Sequence, residues 1–187
     1  PAGATASDDE RAAWVERQLA GFSAYYLTCT PPQRIATDLG VIERLEPDEI
    51  HVSGRQDPAI GTVEYRVITR QPTAANGCFH RICGVLSAKR CSILSADINT
   101  AHDGTVVDTF RVIDTDFSGP IPVERIDEVA ELIRKVLRRE ETIDDLLRRN
   151  RRFGSDEFDS PVSDLPTRVA IDTDSSDTRT IVDVFAH

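Results

Sequence analysis

The chain has 187 residues, 40% of them apolar and 29% charged, with a formal net charge of −10. That length holds one ordinary domain plus arms, or one and a half small domains, and the apolar share is enough for a core. The acidic balance opposes a broad electrostatic footprint for nucleic acid, and no apolar run is long enough to span a bilayer. The N-terminus PAGATASDDERAAW lacks the basic flank and apolar stretch of a secretory signal, so a cytoplasmic setting is expected. Met is absent throughout, position 1 included, so a processed product or, ahead of that, a segment of a larger protein is expected.

In chain order, the first predicted element is a helix from Asp8 to Tyr26. Ser7 and Glu10 form a capping-box pattern, and Trp14, Leu19, Phe22 and Tyr26 form an apolar stripe. Pro31-Pro32 ends it, and a second helix follows from Pro32 to Leu45 with Ile35, Leu39, Ile42 and Leu45 on one side. Residues 1–45 therefore read as a helical arm, the end of an upstream domain. Its stripes are too large to leave in water and must pack on the next domain, a partner copy or an absent domain. Residues 46–60 have the composition of a linker, with a short edge strand available at 49–53.

The organising stretch is 61–114. Strand GTVEYRVITR, loop QPTAANG, helix CFHRICGVLSAKR, strand CSILSADINT, turn AHDG and strand TVVDTFRVID follow one another. Asp103-Gly104 suits a tight reversal between twisted strands. In the helix, Phe79, Ile82, Cys83 and Leu86 form the sheet-facing stripe. Asp108 shares parity with Val106, Phe110 and Val112, so its carboxylate needs hydrogen-bond partners, and a role in anchoring a loop or helix end is expected. After a Pro-rich break comes a strongly periodic helix carrying Ile126, Val129, Ala130, Ile133, Val136 and Leu137. Its arginine-rich continuation is interleaved with Glu140, Glu141, Asp144 and Asp145, which makes it a solvated face with ion pairs.

The Val169 run then completes a βαββαβ order. The expected class is α+β, a ferredoxin-like antiparallel sheet with two helices on one face, preceded by the helical arm. The domain spans 61–173. Residues 174–187 read as the first strand of a second, truncated copy.

Catalytic signatures are missing: no phosphate loop, no G-x-S-x-G, no H-E-x-x-H, and no paired carboxylates of the kind nucleotidyl transfer uses. Cys29, Cys78, Cys83 and Cys91 form no C-x-x-C pair and read as reduced thiols. His80 with Cys83 is too small a set for a metal site, so neither metal nor cofactor is expected.

The residues CFHRICGVLSAKRCSILSADINTAHDGTVVDTFRVID resemble the first of the ACT domains at the C-terminal end of bacterial PII uridylyltransferases. FSAYYLTCTPPQRIATDLGVIERL is similar to the segment that leads into that ACT pair, and TRVAIDTDSSDTRTIVDVFAH to the junction where the second ACT domain begins. The resemblance implies a regulatory, non-catalytic chain that senses an amino acid, glutamine, on behalf of catalytic domains upstream. The unpaired terminal strand points to a homo-oligomer formed through the sheet or the C-terminal strand, and charge and hydropathy leave no nucleic-acid or membrane partner expected. Ligand-binding positions carried over are Asn76, Gly77 and Cys78 in the loop before the first helix, where free N–H groups favour an anion, with Ser92, Ile93 and Leu94 on the adjoining strand. Gly77 and Phe79 match the family loop, but its aspartate is absent and residues are inserted between Arg70 and Cys78. Two alternatives stay open: a structural, dimerising ACT module without ligand, and an RNA-binding βαββαβ domain with Phe110 exposed on the sheet.

Overall fold

The computed structural model describes residues 8–70, 77–150, 168–172 and 181–185. The elements are α1 (Asp8–Gly21), α2 (Ala24–Cys29), α3 (Pro32–Arg44), β1 (Ile50–Asp57), β2 (Thr62–Thr69), α4 (Cys78–Ala88), β3 (Cys91–Asp97), β4 (Val106–Asp114), α5 (Val123–Leu137), α6 (Ile143–Asn150), β5 (Arg168–Asp172) and β6 (Ile181–Phe185). The chain divides after Asn150 into two units, the second holding β5 and β6.

The first unit is α+β and contains a four-stranded antiparallel sheet in the order β1-β2-β4-β3. One face is apolar. Val63, Tyr65 and Val67 of β2 and Val106, Phe110 and Val112 of β4 alternate onto it, where they meet Ile82, Val85 and Leu86 of α4 and Ile126, Val129, Ile133 and Leu137 of α5. Gly84 lets α6 approach α4: a Cβ added there would lie 2.6 Å from the Ile143 side chain. The hairpin between β3 and β4 turns at Gly104, whose φ of 85° suits glycine, and Asp103 Oδ1 accepts the Thr105 N–H at 2.9 Å.

Four expectations are corrected. First, 46–60 is not a linker. Ile50–Asp57 is a full edge strand, paired with β2 from Ile50↔Thr69 to Asp57↔Thr62. Second, it is β1 that stands beside β2 as the fourth strand, so Val169 does not complete this sheet; β5 pairs with β6 in a separate two-stranded sheet. The fourth position of the ferredoxin-like sheet is thus supplied from before β2 instead of after α5. Third, the first predicted helix is two helices, because the Ser23 hydroxyl accepts the Tyr26 N–H at 3.2 Å and starts α2 afresh. Fourth, Phe79 is half exposed; it stacks on Phe110 at 5.8 Å while Cys78, Ile82, Val85 and Leu86 form the buried stripe.

The helical segment does not point away into solvent. Phe22, Tyr26, Leu39, Ile42 and Leu45 pack with Ile68 of β2 and Val107 of β4, the residues of opposite parity, so α2 and α3 cover part of the second sheet face. The His102 N–H donates to the Gly21 carbonyl at 2.9 Å, which ties the β3–β4 turn to the end of α1.

Candidate functional site

The site begins where β2 gives way to α4. Asn76 lies outside the described residues, and Gly77 opens the helix in the left-handed region with φ 78°. Glycine offers no capping side chain, and among the described residues no side chain caps the first turn, so the leading N–H groups of α4 make a small region of positive potential.

Beneath it sits a buried polar group. Asp108 of β4 is 1% exposed and accepts the Asn99 N–H at 3.2 Å. Its other neighbour is Cys78, whose thiol bonds the same carboxylate. Burial is the largest influence on Asp108 and pushes it up to about 6; the Asn99 N–H, the Cys78 thiol and the charge of Arg66 oppose that rise. Burial, then the Asp108 charge, push the Cys78 thiol up to about 12, so it stays a protonated donor. Asp108 therefore anchors both the β3–β4 connection and the start of α4, the role its parity predicts.

Ser92, Ile93 and Leu94 lie elsewhere. Ser92 pairs with Ile113 and Ile93 with Val112, while Leu94 is the extra residue of a bulge before Ser95↔Arg111. From Val112 to Asp108 is four residues of β4, about 13 Å at the usual strand rise. Within one chain the structure brings Gly77, Cys78, Asp108 and Asn99 together and leaves Ser92–Leu94 at the far end of β3, exposed on a sheet edge. Phe110 is fully buried beneath Phe79, so it offers no platform for a nucleobase.

Two clefts among the described residues lie elsewhere again. One of about 720 Å³ is lined by Lys135, Glu140, Glu141, Asp145, Arg148 and Arg149, and a smaller one of about 140 Å³ by Val41, Arg44, Leu45, Glu49 and His51. The larger is walled by charges that satisfy one another, Arg148 with Asp145 at 3.0 Å and Arg149 with Glu141, and this is the solvated face expected of that helix.

A second polar group, missed by pattern reading, lies on the opposite sheet face. Asp38 of α3, 1% exposed, accepts two bonds from the Arg66 guanidinium of β2, Nε at 2.6 Å and Nη2, and one from the Tyr26 hydroxyl at 2.5 Å. Arg66 Nη1 donates to Thr109 Oγ1 of β4 at 2.5 Å. The group joins α2, α3, β2 and β4. The one hint in the sequence was Arg66 standing opposite in parity to Tyr65 and Val67.

No family model matches the chain. It is 31% identical, over 188 aligned positions, to the bifunctional uridylyltransferase/uridylyl-removing enzyme of Azospirillum brasilense. The chain is related to that enzyme. The alignment takes in 94% of this chain and 19% of the relative, so the chain spans about a fifth of the relative's length. No helix among the described residues is long and apolar enough to cross a membrane.

Proposed function

We propose that the chain is the regulatory, non-catalytic segment of a uridylyltransferase-like protein, and that its first unit is an ACT-type module sensing glutamine. The observation that carries this reading is the similarity to the Azospirillum enzyme along 94% of the chain, in a segment that folds as a ferredoxin-like sheet with two helices on one face. The ligand end is the start of α4. There the amides of Cys78 and Phe79 would receive a carboxylate, and the Asp108 group beneath holds the helix end in place.

The sensing unit runs from Ile50 through α6, since β1 supplies a strand of its sheet. The β5–β6 hairpin repeats the opening of that unit. In register, Val169 and Ile171 pair with Val184 and Val182, as Val52 pairs with Val67 in β1–β2, and Val169, Ile171 and Val182 are exposed. Two strands alone are marginal, so β5–β6 is read as the start of a second ACT-type unit. The catalytic domains belong upstream of α1.

A second reading, a dimerising module without ligand, is favoured by the open edge of β3, where Ile93 and Leu94 are exposed. Antiparallel addition of a second copy about Leu94 sets Cys91 opposite that copy's Asp97. It carries Ser92 and Ile93 toward the end of the sheet where the second copy's α4 begins, and so assembles the expected ligand positions from two chains. Calorimetry with glutamine and light scattering with and without it separate the readings. Heat together with a dimer supports sensing. A dimer without heat, in this chain and in one extended through the second unit, leaves only the structural module. A monomer at high concentration removes the dimer from both.

A further inference from the structure

The helical segment is held on the sheet by a crossed set of charges. Arg34 and Asp38 lie one turn apart on α3, and Glu64 and Arg66 lie two residues apart on β2. Arg34 pairs with Glu64, and Asp38 with Arg66. Four residues of helix rise about 6 Å and two of strand about 6.7 Å, so the two pairs fit one span. The signs run plus then minus along the helix and minus then plus along the strand. Sliding α3 by one turn sets Asp38 against Glu64 or Arg34 against Arg66, and reversing it does both. Like charges this close and this poorly solvated are costly. Arg34 already sits near that limit, since burial first and the Arg66 charge next hold it below its ordinary range.

The network also reaches through the sheet. Arg66 bonds Thr109, and the next residue along β4 is Asp108, which faces the other way and bonds the start of α4. A shift of the α4 end that moves β4 thus moves Thr109, Arg66 and the Asp38–Tyr26 pair on α3 and α2.

We propose that the crossed pairs Arg34–Glu64 and Asp38–Arg66 form a key that allows one register of α3 on the sheet and carries movement of the sheet to helices α1–α3. This rests on the reading of the sheet as a glutamine sensor. The key turns the segment between sensor and upstream domains into a rigid coupler.

Two measurements on the full 187-residue chain test it by hydrogen exchange read with mass spectrometry. The first needs no ligand. Exchanging signs on the helix alone, Arg34→Glu with Asp38→Arg, is expected to lose protection across α3, and adding Glu64→Arg with Arg66→Glu is expected to restore it. Protection kept in the helix-only variant, or not regained in the fourfold one, overturns the key whatever the ligand.

The second adds L-glutamine with calorimetry alongside. Wild type is expected to bind and to change exchange at both the α4 start and α2–α3. The paired variant Asp38→Leu with Arg66→Met, which leaves no unpaired buried charge, is expected to keep the heat and lose the α2–α3 response. Binding that leaves α2–α3 unchanged in wild type, or an undiminished response in the variant, overturns the coupling. Absence of heat overturns the sensing role and the coupling that rests on it, while the register result stands by itself.

Discussion

Asp38 and Asp108 are buried to the same extent, on opposite faces of one sheet, and the protein treats them differently. Asp38 has a two-pronged guanidinium and a tyrosine hydroxyl on its oxygens. Asp108 has one backbone N–H and a thiol, and feels the Arg66 charge only across the sheet. The first carboxylate has a cation bonded directly to both of its oxygens. The second is left with a burial cost that its partners only partly offset, which places it at about 6. Pairing makes Asp38 a fastener between layers, whereas its lack makes Asp108 a tense point under the proposed ligand end.

The comparison breaks most sharply at the shared cation. Arg66→Ala strands the Asp38 carboxylate, and a loss of about 3–5 kcal/mol is expected in urea unfolding. The paired Asp38→Leu with Arg66→Met should cost far less, because neither charge is left behind. Arg66→Ala should also move Asp108 further up, since its charge is one of the influences holding that carboxyl down; carbon-detected titration of the Asp108 carboxyl reads this.

Asp108→Asn should act in the opposite direction. A carboxyl raised in the folded state binds its proton more tightly there than in the unfolded chain. Its contribution is therefore full below about pH 4 and is lost as pH rises through about 6. At neutral pH the asparagine variant should be more stable than wild type by up to about 3 kcal/mol, and the gap should close toward pH 4. Urea midpoints across that window check it, and a gap that widens on acidification would refute the assignment. Smaller effects are expected at the Asp38 side. Tyr26→Phe removes one donor to a charged acceptor, about 1.5–2 kcal/mol, and Thr109→Val removes an acceptor from a guanidinium that keeps its carboxylate, about 1 kcal/mol.

Much of the first unit was legible in the sequence because period and parity act locally. The 3.6-residue repeat of Ile126 to Leu137 placed α5, and alternation through Val63, Tyr65 and Val67 placed β2. The same alternation exposed Asp108 as a polar residue on an apolar face. What stayed hidden depends on partners far away in sequence. Ile50–Asp57 carries Gly54 and alternating polar residues, a linker by composition, and becomes a strand only through its pairing with β2. Gly54 is there for close approach, since a Cβ would lie 2.3 Å from Ile126. The Val169 run has the alternation of a sheet strand, but alternation does not say which sheet. Asp38 and Arg66 are separated by 28 positions, and nothing local to either names the other. Of the expected ligand positions, Gly77 and Cys78 fall at a helix end joined to Asp108, whereas Ser92–Leu94 lie at the far end of β3.

The central claim is that this sheet senses an amino acid, and isothermal calorimetry of the chain with L-glutamine tests it most directly. Saturable heat is predicted, weakened by substitutions at Gly77 and retained in Asp38→Leu with Arg66→Met. Flat titrations with glutamine, for this chain and for one continued through the second unit, would contradict it.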